Sequence, residues 1–359
     1  MFSSGFKRKA GILSFSLLFI ITSCGVNSAW ALDDPPKFPA ADKSLFILDT
    51  SGSNDAKQLW SGLRTSIIKK LPKAMGLPIV NGIEKPLAPF DITVTAINAD
   101  SENAPTFSIV ERSDAEKMWS LIHVKIGKGP TKLRLKKILL DFFGPAGAYE
   151  LLIQKYLSRD SQERLNVATC PKEVEEMWKS NNEFMGNYEK SRKLYAAKTV
   201  CEIVSKISVK LIEADKFFTI SNCPGSARCS DVIGALHRAA ASAAEAYDKD
   251  PKSRLCIAIA SDMVNNNSRI DRNGSQNTKE VVMNAVSLED AIAHGKKAAT
   301  TADVKFPPRM IKVSVIGQGS GGIKPDKQQI LSAYWKGFWS ASGVSSDRNV
   351  AALTEACGS

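Results

Sequence analysis

The chain has 359 residues, of which 43% are hydrophobic and 24% charged, a balance that fits a well-cored globular protein and excludes a disordered or low-complexity one. Its formal charge is +11, or +8 without Lys7, Arg8 and Lys9, so anionic surfaces attract it without any single partner being named. No stretch after residue 31 offers roughly 18 uninterrupted apolar residues, so no internal membrane span is expected.

Lys7, Arg8 and Lys9 precede the apolar run GILSFSLLFII, the layout of an export signal over residues 1–31. Two processing points compete. Ala29-Trp30-Ala31 forms a small-x-small cleavage site ahead of Leu32, whereas Ile21-Thr22-Ser23-Cys24 resembles a bacterial lipobox, in which Cys24 is lipidated. Either route predicts an exported protein, periplasmic or held at the cell envelope, and the second adds a lipid anchor. Setting Cys24 aside leaves Cys170, Cys201, Cys223, Cys229, Cys256 and Cys357. An even number in an exported chain points to disulfides, and the lack of a CxxC pair argues against zinc or thioredoxin-like chemistry.

Residues 32–43 are proline-rich and polar, the composition of a tether. SLFILD (44–49) is an apolar run of strand length, as expected of a strand covered on both faces. Leu59, Leu63, Ile67, Ile68 and Leu71 then recur at helical spacing over 56–74. DITVTAINA (91–99) reads as a second strand and TFSIV (106–110) as a short third. Apolar residues three and four apart dominate 115–218, which is far too long for an ordinary crossover and is taken as a helical insertion. Within it, KIGKGPTKLRLKK (125–137) gathers cations among isoleucine and leucines, either as a solvated helix face or as a contact for an anionic membrane surface or acidic partner. Interleaved aromatics are missing there, which argues against nucleic acid.

Alternation resumes with a helix over 230–247, the run LCIAIASD (255–262), a loop rich in asparagine and serine, and the helical segment SLEDAIAHGKKAA. MIKVSVIGQG (310–319) is a strand, KQQILSAYWKGFWSASG a closing amphipathic helix, and 344–359 a tail. Strands alternating with helices predict an α/β fold: a doubly wound, mostly parallel, Rossmann-like sheet flanked by helices, spanning 44–343 and interrupted by the insertion.

The stretch FILDTSGS (46–53) carries the chemistry. A buried strand ends there in Asp49, with Ser51 and Ser53 just beyond. An aspartic-protease nucleus needs glycine directly after the hydroxyl residue, where this chain has Ser51, and a second catalytic aspartate in a matching motif, which it lacks. A divalent-metal site and a plain helix cap by Asp49 and Ser51 both remain open. DTSGS resembles the Asp-x-Ser-x-Ser pattern that closes the first strand of von Willebrand factor A domains. The likeness continues in CSDVIGAL, with Ser230 where the family has a threonine, in LCIAIASDM, which ends its strand in Asp262, and in VSVIGQG. It covers roughly 43–115 and 218–343.

The resemblance implies a metal-ion-dependent adhesion site built from Asp49, Ser51, Ser53, Ser230 and Asp262, with Ser226 a rival donor. Mg2+ would fit it best, with Mn2+ or Ca2+ as substitutes, since magnesium takes about six hard oxygens and keeps its waters readily. The implied partner is an envelope protein that offers the metal an acidic side chain. Two alternatives stand: a metal-free scaffold subunit that binds through the insertion, and an envelope hydrolase.

The remaining motifs carry less. GQGSGG (317–322) matches GxGxxG but opens no βαβ unit, and it reads as a strand-end loop. DRNGSQNTKE (271–280) has Gln276 where a calcium loop needs glycine, and it is taken as a polar surface loop. With only His123, His237 and His294, and no GxSxG or HExxH, nothing in the chain asks for an enzyme.

Overall fold

Successive residues of a strand face opposite ways, and in the first strand both parities are apolar: Leu45 and Ile47 enter one core, Phe46 and Leu48 the other. Such a strand needs cover on both sides. In the computed structural model, which describes residues 42–50, 56–75, 90–123, 148–158, 187–218, 230–266, 278–308, 311–319, 323–344, 346–349 and 357, it has that cover. Strand β1 (Asp42–Asp49) lies at the centre of a sheet, parallel to β2 (Phe90–Ile97) on one side and to β4 (Leu255–Ala260) on the other. Beyond β2 runs the antiparallel edge strand β3 (Thr106–Val110). Beyond β4 run β5 (Ile311–Ile316) and β6 (Ser346–Asn349), both parallel. The order β3-β2-β1-β4-β5-β6 makes a mostly parallel sheet of six strands in an α/β fold.

One face carries α1 (Ala56–Ala74), α2 (Arg112–His123), α3 (Ala148–Ser158) and α4 (Asn187–Phe218). Trp60, Leu63, Ile67 and Leu71 of α1 follow one another at three- and four-residue steps, so one stripe of the helix meets the sheet. Helix α4 extends this layer with Val200, Val204, Ile207 and Leu211, each fully or almost fully buried. The helices between β3 and β4 therefore complete the fold's own core instead of standing off from it. The basic segment 125–137 lies outside the described residues.

The opposite face carries α5 (Val232–Lys249), α6 (Thr278–Asn284), α7 (Leu288–Thr301) and α8 (Gln328–Ser342). Here α7 and α8 touch backbone to backbone. A Cβ added to Gly295 would sit 1.9 Å from the Tyr334 carbonyl oxygen, and one on Gly337 would sit 2.1 Å from that of Ile292. Two glycines thus set the separation of these helices. Neither contact can relax by turning a side chain, because the obstacle is main chain.

The segment expected to be a tail is part of the fold. It contributes β6, and Cys357 is buried and joined by a disulfide to Cys256 on β4, with Cα atoms 5.4 Å apart. The Lys70 ammonium of α1 donates to the Cys357 carbonyl at 3.4 Å. Cys201 is disulfide-bonded as well. Cys24, Cys170, Cys223 and Cys229 lie outside the described residues.

Charges close the amino ends of the strands. Asp42 pairs with Arg254, and the Lys206 ammonium reaches Glu111 at 2.8 Å and Asp114 at 3.2 Å. Asp91 faces Lys43 across the β1–β2 register, yet its Oδ1 is buried without a hydrogen-bond partner among the described residues. Burial pushes the Asp91 pKa up to about 6, and the neighbouring Lys43 and Arg112 charges offset only part of the rise. The folded chain then holds this proton more tightly than the unfolded one, so its contribution to stability falls as pH climbs from the ordinary 3.8 through about 6.

Two measurements follow. Gly337→Ala should lower the unfolding free energy by about 2 kcal/mol or more in chemical denaturation, because the new methyl has to part α7 from α8. Asp91→Asn should raise it by about 1–3 kcal/mol near neutral pH, with the gain vanishing below about pH 4.

Candidate functional site

The chain steps from β1 to β2 and β3 on one side of the sheet, then returns to place β4 on the other side of β1. After β1 the chain enters α1 on one face, and after β4 it enters α6 on the other, and open α/β sheets bind ligands at such a point. Asp49 is the last residue of β1. It shares the parity of Leu45 and Ile47 and has no exposed surface. A carboxylate so placed needs donors, and two serines provide them. The Ser261 hydroxyl donates to Asp49 Oδ2 at 2.7 Å and the Ser230 hydroxyl donates to the same oxygen at 3.1 Å.

Each serine is held by backbone. Ser230 pairs with Asn266 in an antiparallel bridge, its N–H donating to the Asn266 carbonyl at 3.2 Å and its own carbonyl accepting in return at 2.8 Å. Ser261 follows directly on β4. Its N–H donates to the Ile316 carbonyl at 3.0 Å, while its Oγ accepts from the Met263 N–H at 2.9 Å. Asp262 turns the chain: its Oδ1 accepts from the Val264 N–H at 2.9 Å, and its carbonyl accepts from the Gly319 N–H at 2.9 Å. Met263 takes a left-handed backbone (φ 61°), costly for a residue with a side chain, and the Trp335 indole N–H fixes it by donating to the Met263 carbonyl at 2.9 Å.

Asp231, next to Ser230, has a structural task. It caps α5, its Oδ1 accepting from the Gly234 N–H at 3.0 Å and its Oδ2 from the Ser101 N–H at 3.1 Å. Its own N–H donates to the Asn98 carbonyl at 3.0 Å, which ties the turn after β2 to the Ser230 loop. A Cβ on Gly234 would fall 2.1 Å from Asp231 Oδ2, so the cap needs glycine at that position.

Of the five residues expected at the site, Ser230 is hydrogen-bonded to Asp49, while Asp262 lies two residues beyond the end of β4 with its Oδ1 bonded to the Val264 N–H. Ser51 and Ser53 lie outside the described residues, as does the rival donor Ser226. Ser261 was missed by sequence reasoning, because what singles it out is strand register. The β1–β4 register pairs Ile47 with Ile259, and two steps along both strands bring Asp49 beside Ser261. The described residues contain no group of three or more histidine, cysteine, aspartate or glutamate side chains that could hold a metal ion. The described side chains that meet on the Asp49 carboxylate are the Ser230 and Ser261 hydroxyls, so the groups gathered there are all oxygen.

The GQGSGG segment contributes Gly317 and Gly319, both with positive φ (82° and 80°), to the loop after β5, as a strand-end turn requires. Of DRNGSQNTKE, Thr278–Glu280 open α6, and the preceding residues lie outside the description. His237 sits 3.6 Å from Glu102 and His294 3.5 Å from Asp290.

No protein-family model, no curated protein and no solved structure matches this chain.

Ser261→Ala removes one donor to a buried carboxylate and the acceptor of the Met263 N–H together. It should cost about 1–3 kcal/mol of unfolding free energy, read from denaturant midpoints.

Proposed function

We propose that this chain is a von Willebrand factor A-like, divalent-metal-dependent protein-binding module, exported and acting at the cell envelope. The observation that carries the reading is the pair of hydroxyl bonds onto Asp49 Oδ2 at the point where the strand order reverses. A serine that donates its proton to a carboxylate keeps its oxygen lone pairs for a cation. Ser230 is such a serine, and the Asp49 charge behind it raises the electron density on its oxygen. Asp262, anchored by the Val264 and Gly319 N–H groups, brings a second carboxylate to the same edge.

An all-oxygen set of this kind suits Mg2+ better than zinc, whose structural sites favour sulfur and nitrogen. Ser51 and Ser53 follow Asp49 closely enough in sequence to join the set. When bound, the cation would supply an electrophilic position for a carboxylate of a partner protein. The chain's own residues would orient that position and keep its charge balanced. The disulfide between Cys256 and Cys357 supports an oxidising compartment.

The test is titration of Mg2+ into the full chain, followed by calorimetry and thermal melting. At a hundredfold excess over the dissociation constant the metal should add about 2.7 kcal/mol to stability. Ser230→Ala should weaken that gain and Asp49→Asn should abolish it while leaving a cooperative melt. Unchanged melting of the unmutated chain across millimolar Mg2+ would falsify the metal-dependent reading and leave the metal-free scaffold.

A further inference from the structure

Among the described residues, the large apolar side chains that stand exposed are Met283 (41%), Val286 (91%) and Leu288 (44%), all where α6 gives way to α7. Met283 belongs to the last turn of α6, Val286 to the link, and Leu288 opens α7; single exposed apolar residues are ordinary, but three within six residues are not. The turn is also held rigid. Ser287 caps α7 by accepting from the Asp290 N–H at 3.1 Å, and Asp290 Oδ2 accepts from the Val286 N–H at 3.2 Å. Ala285 is buried beneath, its N–H donating to the Val281 carbonyl at 2.8 Å. A residue in the Val286 position usually folds back over the helix it precedes, but its counterpart there is the buried methyl of Ala291, which gives it nothing to close upon. The tip is therefore both ordered and uncovered, so docking it costs little conformational entropy.

Its surroundings select the partner. Among the described residues from 278 to 290, Glu280, Glu289 and Asp290 stand against Lys279, with His294 3.5 Å from Asp290, a net acidic stretch on a chain of net charge +11. Three carboxylates disfavour an anionic lipid surface and favour a basic rim. We propose that the Met283–Val286–Leu288 tip docks into a protein partner whose matching face is an apolar socket edged with lysine or arginine. The contact needs no metal and so goes beyond the role given to the Asp49 cluster. It is nonetheless tied to that cluster: the Thr278 N–H at the start of α6 donates to the Asn265 carbonyl at 3.2 Å, one residue from the Asn266–Ser230 bridge.

The experiment is selection of a random peptide display library on the full chain, with Val286→Ser as the paired target. The substitution should leave the melting temperature unchanged, since the side chain is 91% exposed. Enriched peptides should set an aromatic or aliphatic residue beside arginine or lysine and bind Val286→Ser about tenfold more weakly. They should weaken with added salt and keep their affinity in chelator. Peptides that bind both targets alike, that are acidic, or that let go in chelator overturn the proposal. So does self-association in sedimentation, or binding to phosphatidylglycerol vesicles, that Val286→Ser removes, because a second copy or a lipid surface would then be the occupant.

Discussion

Asp49 holds a carboxylate where water cannot reach, and a buried charge is tolerated only when donors surround it. That requirement reaches far along the chain. Ser230 and Ser261 answer it from 181 and 212 residues away. Each serine is then pinned by main-chain bonds to another loop, Ser230 to Asn266 and Ser261 to the end of β5. Solvating one side chain therefore ties the residues directly after β4 to the entry to α5. The Asp231 cap adds the turn after β2 to the same assembly.

The two helical layers answer different demands. On the α1 side, long apolar side chains of α4 pack beside β3 and against α1, and Trp60 stacks on Phe218 with ring centroids 5.1 Å apart. On the α8 side the helices approach through Gly295 and Gly337, which leaves room for the Trp335, Phe338 and Trp339 rings against the sheet. Trp335 links that layer to the site edge through the Met263 carbonyl. Packing beneath the sheet and loop geometry at its rim thus meet in one indole.

Much of this was legible in residue order. The apolar runs read at 44–49, 91–99 and 255–262 announced buried strands, and the three- and four-residue spacing in 56–74 and 327–343 announced the helices that cover them. Asp49 and Asp262 stood out because an aspartate closes or follows an apolar run, and Ser230 because the von Willebrand factor A resemblance expects a hydroxyl residue before the next helix. Four things were hidden. Strand β6 has the sequence SDRN, whose polarity suits a sheet edge but gives no apolar signal. Ser261 was masked by the aspartate after it, since its importance rests on the register between β1 and β4, which no local pattern encodes. Helix α6 spans seven residues, too short for its period to separate it from the loop before it. The placement of α4 in the main core also depends on long-range contact, which a periodic stripe alone does not specify.

The bond between Cys256 and Cys357 closes a covalent ring across a sequence separation of 101 residues. Inside that ring lie Ser261, Asp262, β5, β6 and three of the four helices on one face. Hydrolysis of any one peptide link within it would open the circle without releasing a fragment. A nicked molecule would keep the same mass, apart from one added water, until a reductant or an exchanging thiol cut the sulfur link.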